Sequence, residues 1–546
     1  MTTANEYVQQ HIDTQLTDEY LLSMLSRIDL FRQILNRERI PQVSSGDIEY
    51  IPSITQLEEP LSFQRVIDLC KEVAIRSPNF RDPRRLDNII PSANNVAIYA
   101  GLLALMVNSN VVNWEYSYDS YLLEKHMVKQ ISTLLGISIN QSWGLYVSGG
   151  TMSNLYDCLF AIRRSFPDTV RQGIAAMGTN YKIILGSNSH YSARTTLNTL
   201  GINTEANIDQ IRTVDDQIDI TSFQQSIIDN YNKGIKVILV FITMGTTNNF
   251  GIDPLNEILV FMDQFKVDHP EWYYPHVHLD MAAGWPMIYC KFYNTSNNVL
   301  QLDRDQLELL ELYRDKFRSI KRADTFTIDF HKWGYTPCTS SLFICRDRSW
   351  IQLLERSETN YSYFGENDNV LDYERQHHLT IETSRPAIPV YTSFANTYCL
   401  GIKGRIALTS HCLSLAQTFR AELIERVAQA VIVTNNKGPT VCFTLYDVDT
   451  REQAERLHQL CLYDSSLMES HNDFKRLVHS RRFGRSVAPQ GLMSSFPLSA
   501  LVTIETNQQY HSAEKLAFYN PLTTVDQMIQ FLDCLNQTIF DLRNGK

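Results

Sequence analysis

Short runs of hydrophobic residues alternate with longer segments of helical periodicity between about residues 140 and 350. The short runs predict buried strands at residues 144–147, 182–185, 236–242, 277–279, 325–328 and 342–345. The longer segments predict helices at residues 154–164, 193–200 and 255–265. Strands that are hydrophobic throughout and separated by helices indicate a parallel sheet covered on both faces.

The pattern changes at both ends of this region. Residues 18–39 carry hydrophobic positions at helical spacing, and the Pro-containing stretch 77–83 is typical of a linker. Beyond about residue 380, a long predicted helix at 394–426 precedes a predicted strand at 441–445. We therefore predict a helical N-terminal segment (1–80), a large domain (81–378) and a smaller C-terminal α+β domain (379–546).

The composition narrows the class of protein. Hydrophobic residues make up 44% of the 546 residues, which excludes an intrinsically disordered chain. The 60 acidic residues outnumber the 49 basic ones, which argues against a nucleic-acid-binding surface. The ten cysteines form no C-x-x-C motif and indicate reduced thiols. Because no hydrophobic stretch is long enough to span a membrane, we expect a cytoplasmic protein.

A glycine-containing loop, SGGTMSN at residues 148–154, lies between a predicted strand and a predicted helix. Its position matters because ligands of parallel sheets bind beyond the carboxyl ends of the strands. Free N–H groups at a helix start attract phosphate, and glycines allow the tight turn. Such a loop can equally be an ordinary strand-to-helix turn, so it does not establish a phosphate site by itself.

Three polar residues alternate along and beside the predicted strand at 277–279. His276, His278 and Asp280 share one face, since alternate side chains of a strand point the same way. Two histidines and an aspartate could bind zinc. Alternatively, Asp280 caps the turn that leads to Gly284. No H-E-x-x-H motif accompanies the group, and we predict no metal site.

Lys332 follows another predicted strand, within the sequence DFHKW. A single lysine is usually a solvated surface residue, but a partly desolvated one can form an imine with an aldehyde. The phosphate loop, Asp280 and Lys332 follow one another along one sheet. A pyridoxal phosphate enzyme needs all three, for the phosphate, for the protonated ring nitrogen and for the aldehyde. A zinc site would explain only one of them.

Six ordered motifs carry a resemblance to a known family. They are SGGTMSN (148–154), SNSHYS (187–192), MGTTNNFGIDP (244–254), HLDMAAG (278–284), ADTFTIDFHKW (323–333) and TSR (383–385). The chain resembles the group II pyridoxal-phosphate-dependent decarboxylases, which include glutamate, aromatic amino acid and tyrosine decarboxylases. The resemblance implies the aspartate-aminotransferase-like α/β fold type I, with a mainly parallel seven-stranded sheet in the large domain. It also implies pyridoxal 5'-phosphate as cofactor, a homodimer, and conversion of an L-amino acid to its amine and carbon dioxide.

The resemblance also implies the residues of the cofactor site. Lys332 is similar to the lysine that binds the cofactor, Asp280 to the partner of the ring nitrogen, and His190 to the histidine stacked on the ring. The remaining expected cofactor contacts are Gly149, Gly150, Thr151, Thr246, Ala282 and His331.

Two further residues are matched to substrate chemistry. Arg385 matches the arginine that holds the substrate carboxylate in relatives. Tyr361 resembles the loop tyrosine that returns a proton to the substrate carbon, and Tyr363 is the rival for this role. Lys332, His190 and Tyr361 are therefore the expected catalytic residues.

Two alternatives to a decarboxylase stay open. The first is a carbon–carbon aldehyde-lyase of the sphingosine-phosphate lyase type, which the HKWGYTP stretch also resembles, although Tyr361 and Arg385 fit a decarboxylase better. The second is a binding protein on the same fold, which the presence of Lys332, Asp280 and His190 disfavours. Met281 and Trp285 depart from the family pattern and leave the identity of the amino acid undetermined.

Overall fold

The computed structural model describes residues 61–78, 80–354, 379–434, 437–486, 500–506 and 509–545. These residues belong to two compact units. The first comprises Met1–Asp82 and Arg481–Ser495, and the second comprises Pro83–Ser480 and Phe496–Lys546. The helix predicted at residues 18–39 lies outside the described residues, as do Tyr361 and Tyr363.

The described part of the first unit contains helix α1 (Phe63–Arg76). The helix begins after Ser62, whose hydroxyl oxygen accepts a hydrogen bond from the Arg65 amide at 3.3 Å. A serine at this position satisfies one of the free amides of the first turn. The helix ends at Ser77, where the predicted linker begins.

A central sheet of seven strands organises the second unit. Along the chain, the first nine strands of this unit are β1 (Trp143–Val147), β2 (Tyr181–Gly186), β3 (Ile208–Ile211), β4 (Thr213–Val214), β5 (Gln217–Ile218), β6 (Lys236–Thr243), β7 (His276–Asp280), β8 (Thr325–Asp329) and β9 (Ser341–Cys345). The sheet order is β1-β9-β8-β7-β6-β2-β3, with β4 and β5 forming a separate two-stranded ladder. Strand β9 runs antiparallel to both of its neighbours, β1 and β8, and the other neighbouring strands of this sheet are parallel. The predicted mainly parallel, seven-stranded sheet is confirmed.

Helices connect these strands. They are α2 (Asn95–Val107), α3 (Asp119–Leu135), α4 (Gly150–Ser165), α5 (Thr169–Gln172), α6 (Ser192–Thr199), α7 (Ile220–Asn232), α8 (Leu255–Asp268) and α9 (Arg304–Lys316). Short 3₁₀ segments lie at Ile174–Met177, Trp285–Phe292, Ile320–Arg322 and Arg348–Leu354. The three helices predicted in this region coincide with α4, α6 and α8.

Successive residues of the central strands enter two different cores. Ile184 of β2 packs in one core with residues of α7 and α8. Its neighbours Ile183 and Leu185 pack in another core with residues of α4 and α6. Because alternate side chains of a strand face opposite sides, the sheet is covered on both faces, which explains its continuously hydrophobic strands.

A second sheet follows the central one in sequence. The long helix α10 (Ile388–Arg426) is interrupted at Gly401, which adopts a positive φ of 57°. The sheet has the antiparallel order β10-β11-β13-β12 and is accompanied by three helices. The elements are β10 (Ala430–Ile432), β11 (Thr440–Leu445), α11 (Arg451–Cys461), α12 (Ser465–Ser486), β12 (Ala500–Thr506), β13 (Gln509–Ala517) and α13 (Val525–Arg543). Across the described segments of the chain, we find no helix long and apolar enough to cross a membrane.

Candidate active site

The residues predicted from the motifs come together at one edge of the central sheet. Nine of them line a single cavity of about 450 Å³ beyond the ends of β7 and β8: Gly149, Gly150, Thr151, His190, Thr246, Asp280, Ala282, His331 and Lys332. Parallel strands deliver the residues that follow them to the same edge, which explains how distant motifs meet here.

Lys332 reaches this cavity from the turn that follows β8. Its Nζ lies 3.0 Å from Oδ2 of Asp329. Burial opposes the positive charge, but Asp329 and Asp280 outweigh burial and raise the pKa of Lys332. The amine is therefore protonated at neutral pH and must lose a proton before it can attack an aldehyde.

Asp329 is a functional candidate that the sequence reasoning missed. Its Oδ1 accepts a hydrogen bond from the Ser341 hydroxyl at 2.5 Å. Burial opposes the charge of the carboxylate, but Lys332 and His331 outweigh burial and lower its pKa. A Cβ added at Gly150 would lie 2.9 Å from Oδ2, so the carboxylate also requires glycine at the start of α4. The signal was available, because Asp329 ends a strand just as Asp280 does.

Asp280 is held from two directions. Its Oδ1 accepts a hydrogen bond from the Ala282 amide at 3.1 Å, and its Oδ2 accepts one from Nδ2 of Asn154 at 3.3 Å. The side chain is 5% exposed and lines the cavity. Its two anchors fix the direction in which the carboxylate faces a ligand.

His190 presents a neutral imidazole to the cavity. The Ser192 amide donates to Nδ1 at 3.2 Å, which places the proton on Nε2. Burial lowers the pKa of His190 more than Asp280 raises it. A neutral planar ring can lie against a heteroaromatic ligand without adding charge.

A close backbone approach holds the Gly-Thr-Thr turn beside Asp280. Gly245 adopts a φ of 117°, and a Cβ there would lie 2.8 Å from the Gly284 nitrogen. A side chain at this position would therefore push the turn away from the end of β7. Within the turn, Oγ1 of Thr246 accepts a hydrogen bond from the Gly251 amide at 2.7 Å.

The two histidines of β7 are buried away from the cavity. His276 and His278 lie 2.9 Å and 3.3 Å from Oδ1 of Asp157, a residue of α4. A zinc site would require both histidines and Asp280 to face one ion, whereas the histidines face Asp157 instead. Within the described residues, no group of three or more His, Cys, Asp or Glu side chains is placed to hold a metal ion.

Arg385 does not line the cavity. It forms a buried ion pair with Glu124 and donates to the Tyr146 carbonyl oxygen at 3.0 Å. A substrate contact would require the guanidinium to leave Glu124, a partner 261 residues away that a motif match could not reveal. The predicted roles of Tyr361 and Tyr363 stay predictions, since both residues lie outside the described part of the chain.

The cavity contains the groups that a pyridoxal phosphate site needs, and the family comparison agrees. The family model described as the pyridoxal-dependent decarboxylase conserved domain matches residues 53–446, more than half of the chain. The chain belongs to this family. The predicted family, the enzymatic activity as an amino acid decarboxylase and the cofactor pyridoxal phosphate are thereby confirmed.

Individual relatives of this decarboxylase are distant in sequence. The L-aspartate decarboxylase dtxS4 of Metarhizium robertsii is 22% identical over 383 residues, which cover 69% of each chain. The crystal structure of Oryza sativa TDC with PLP and tryptamine has a TM-score of 0.74 at 14% identity and covers 97% of this chain and 99% of that chain. The crystal structure of mouse CSAD has a TM-score of 0.69 at 17% identity, and the match covers 94% of this chain and 92% of that chain. These structures share the predicted fold type I.

The decarboxylase cavity fits its cofactor by the chemistry of its side chains and backbone. Lys332 supplies a primary amine and Asp280 a carboxylate held by two donors. At Gly149, a Cβ would meet no atom within 4 Å, so open space lies before the start of α4. A helix start beside open space suits a phosphate group.

Proposed function

We propose that this decarboxylase works through the cavity residues predicted from its motifs. The observation that carries the proposal is the meeting of Lys332, Asp280 and His190 in one cavity at the start of α4. When bound, pyridoxal phosphate supplies an electron sink that accepts the electrons left when carbon dioxide departs. The side chains of the protein bind and orient the reacting groups and transfer the protons.

Lys332 would hold the cofactor through its aldehyde, and Asp280 would keep the ring nitrogen protonated. His190 and Ala282 would contact the ring. The anchored carboxylate of Asp280 supports this assignment, because a freely rotating one would face the nitrogen only part of the time.

The start of α4 binds the cofactor phosphate. Gly149, Gly150 and Thr151 offer backbone amides there, and His331 lies on the same cavity wall. Thr246 contacts the cofactor from the Gly-Thr-Thr turn. Asp329 keeps the Lys332 side chain in place before the cofactor arrives.

Tyr361 returns a proton to the substrate carbon after carbon dioxide has left. A tyrosine hydroxyl can act as the proton donor in such a step. The predicted contact of Arg385 with the substrate carboxylate competes with its ion pair to Glu124.

A homodimer is the assembly that the surface supports. Helix α2 is hydrophobic on all sides, and its side chains Tyr99, Leu103 and Val107 are 60%, 41% and 61% exposed. The large apolar side chains Trp114, Tyr116, Tyr118 and Leu122 are also exposed. Many exposed apolar side chains of this size are typical of surfaces that contact another protein.

We place the enzyme in the cytoplasm, with a cofactor domain at 81–378 and a smaller domain at 379–546.

A cofactor-trapping experiment and a product assay test this proposal. Purified protein loaded with pyridoxal phosphate should show a visible absorption band, and borohydride should add the reduced cofactor mass to Lys332. Lys332→Ala should lose both signals, whereas Lys182→Ala, which removes a lysine paired with Asp209, should keep them. A wild-type protein without the band would contradict the proposal.

The product assay separates the decarboxylase from a carbon–carbon lyase. The loaded enzyme is incubated with each of the twenty amino acids, L-aspartate first because a relative is named for it. Mass spectrometry should detect an amine together with carbon dioxide. Aldehyde release from a phosphorylated amino alcohol would support the lyase instead.

A further inference from the structure

A chain of buried polar side chains leads away from Asp280, and only its first member, Asn154, lines the cavity. Asp157, His278 and Asn154 are 0%, 0% and 1% exposed. Asp157 and Asn154 lie on α4, and His278 lies on β7. Together they connect the carboxylate of Asp280 to a second, fully buried carboxylate.

The amide of Asn154 has one chemically acceptable orientation. Its Nδ2 donates to Oδ2 of Asp280 at 3.3 Å and to Oγ of Ser192 at 3.0 Å. Oδ1 therefore points the other way, where it accepts a hydrogen bond from the Thr327 hydroxyl at 2.7 Å. A flipped amide would place Oδ1 against the Asp280 carboxylate, which would repel it.

His278 links Asn154 to the groups beyond it through its two ring nitrogens. Its Nε2 lies 3.2 Å from Oδ1 of Asn154, which can only accept, so Nε2 donates to it. Its Nδ1 lies 3.0 Å from the hydroxyl oxygen of Thr325, which donates to Asp157 at 2.5 Å.

Asp157 is a buried carboxylate on the far side of His278. Its Oδ1 lies 3.3 Å from Nδ1 of His278 and 2.9 Å from Nε2 of His276. Burial opposes the negative charge, but His278 and His276 outweigh burial and lower the pKa of Asp157. Oδ2 of Asp157 has no hydrogen-bond partner in the described chain, so these contacts at Oδ1 are what stabilise the carboxylate.

The neighbouring groups restrict how Asp157 and His278 can be arranged. Arg164 lies 2.6 Å from Nδ1 of His276 and donates to it, which directs the Nε2 proton of His276 to Asp157. Strand β8 contributes the uncharged hydroxyls of Thr325 and Thr327, and β6 contributes the ring of Phe241, with centroids 4.8 Å apart.

We propose that Asp157 and His278 are positioning residues that hold Asn154, and through it Asp280, in the orientation that binds the cofactor ring nitrogen. The inference rests on the proposed role of Asp280. Asp157 holds the ring of His278 from the Nδ1 side, directly and through the hydroxyl of Thr325. Nε2 of His278 in turn fixes Oδ1 of Asn154. Without the carboxylate of Asp157 the ring would be held less firmly, and the amide that holds Asp280 would lose its support.

A matched pair of variants tests the proposal. Asp157→Asn removes the charge with little change in size. Glu514→Gln is the control, because Glu514 is also a buried carboxylate beside a histidine, His479, but lies on β13 of the second sheet. Both variants are expected to lose stability. Only Asp157→Asn should weaken pyridoxal phosphate binding, by roughly the 10–100-fold seen when the groups that orient a ligating side chain are removed.

The readouts are the dissociation constant of pyridoxal phosphate from the apoenzyme and the pH dependence of the visible band. In Asp157→Asn, kcat should fall while KM stays close to wild type, since the substrate contacts are unchanged. Equal cofactor affinity in Asp157→Asn and wild type would overturn the proposal, as would equal weakening in the two variants.

A second measurement does not require a variant of Asp157 to fold. In ¹⁵N-histidine-labelled wild-type apoenzyme, Nε2 of His278 should give the signal of a protonated ring nitrogen, assigned by its loss in His278→Gln. An Nε2 without a proton would overturn the inference, because it could not donate to Asn154. The outcome is independent of the proposed function, which fails instead if wild-type protein forms no cofactor adduct at Lys332.

Discussion

The amine of Lys332 and the carboxylate of Asp329 lie 3.0 Å apart, at the point where the turn after β8 meets the start of α4. The same carboxylate oxygen would lie 2.9 Å from a Cβ at Gly150. The lysine, its counter-ion and the proposed phosphate site are therefore mutually constrained, and a change in one alters the others.

Asp329→Asn is expected to lower the pKa of Lys332, because Asp329 is the strongest of the charges that raise it. A lower pKa leaves more unprotonated amine at neutral pH. The rate at which apoenzyme forms its adduct with pyridoxal phosphate should therefore reach its high-pH plateau at a lower pH. Stopped-flow absorbance across a pH series measures this. A plateau that stays in place or moves to higher pH would show that Asp329 does not govern the amine.

Asp280→Asn should retain the cofactor when pyridoxal phosphate is supplied in excess, although with weaker binding, and should lose most activity. The phosphate and lysine contacts remain, but an amide cannot hold the ring nitrogen in its protonated form. Absorbance gives cofactor content and the amine assay gives kcat. Metal analysis provides the check on the zinc alternative, since about one zinc per chain in the native protein, lost in the variant, would contradict the cofactor role.

The sequence predicted the central sheet well because most of its strands are buried on both faces. Strand β3 was missed, since Asp209 and Gln210 interrupt its hydrophobic run. Helix α9 was not predicted, although its capping box of Asp303 and Gln306 was an available signal.

The candidate site could also be predicted only in part. The nine motif residues reach one cavity because strand order brings strand ends together. The pairing of Arg385 with Glu124 and of His278 with Asp157 could not be predicted, because it depends on how helices pack across the sheet. Local sequence gives no information about such contacts between distant residues.

Two stacked histidines should make the second sheet sensitive to acid. His458 and His511 lie with ring centroids 5.3 Å apart. Burial lowers the pKa of His458 to about 4 and that of His511 to about 3. An unfolded histidine has a pKa of about 6.5, so the unfolded chain binds more protons below that pH. Their contribution to stability is complete above about pH 6.5 and is lost as the pH falls towards 4 and 3.

His511→Phe should therefore reduce the loss of stability in acid, because it keeps a buried ring and removes one titrating group. Thermal unfolding of apoenzyme at about pH 7.5 and about pH 5 measures the effect, on either side of the ordinary histidine value. His411→Phe is the control, since His411 is exposed and bonded to a backbone carbonyl oxygen. An unchanged pH dependence in His511→Phe would contradict the prediction.

Tyr361→Phe should leave folding and cofactor content unchanged, because the change removes a single hydroxyl and keeps the ring. Carbon dioxide should still be released, but return of the proton should be slow. We expect less amine, with some aldehyde, ammonia and peroxide formed by reaction with oxygen. Tyr363→Phe is the matched control and should resemble wild type. Equal behaviour of the two variants would assign proton delivery elsewhere, with His190 as the next candidate.

The last prediction concerns the ion pair between Arg385 and Glu124, whose side chains are 3% and 0% exposed. Removing one partner of a buried pair leaves an uncompensated charge and costs about 3–5 kcal/mol. Glu124 also accepts a hydrogen bond from the Tyr146 amide at 2.9 Å, so the pair joins α3, β1 and the segment before α10. Glu124→Gln and Arg385→Lys should both lower the free energy of unfolding, measured by urea denaturation. If the pair is structural, KM should change little in either variant at temperatures where both are folded. A large rise in KM for Arg385→Lys alone would show that Arg385 leaves Glu124 to bind the substrate carboxylate.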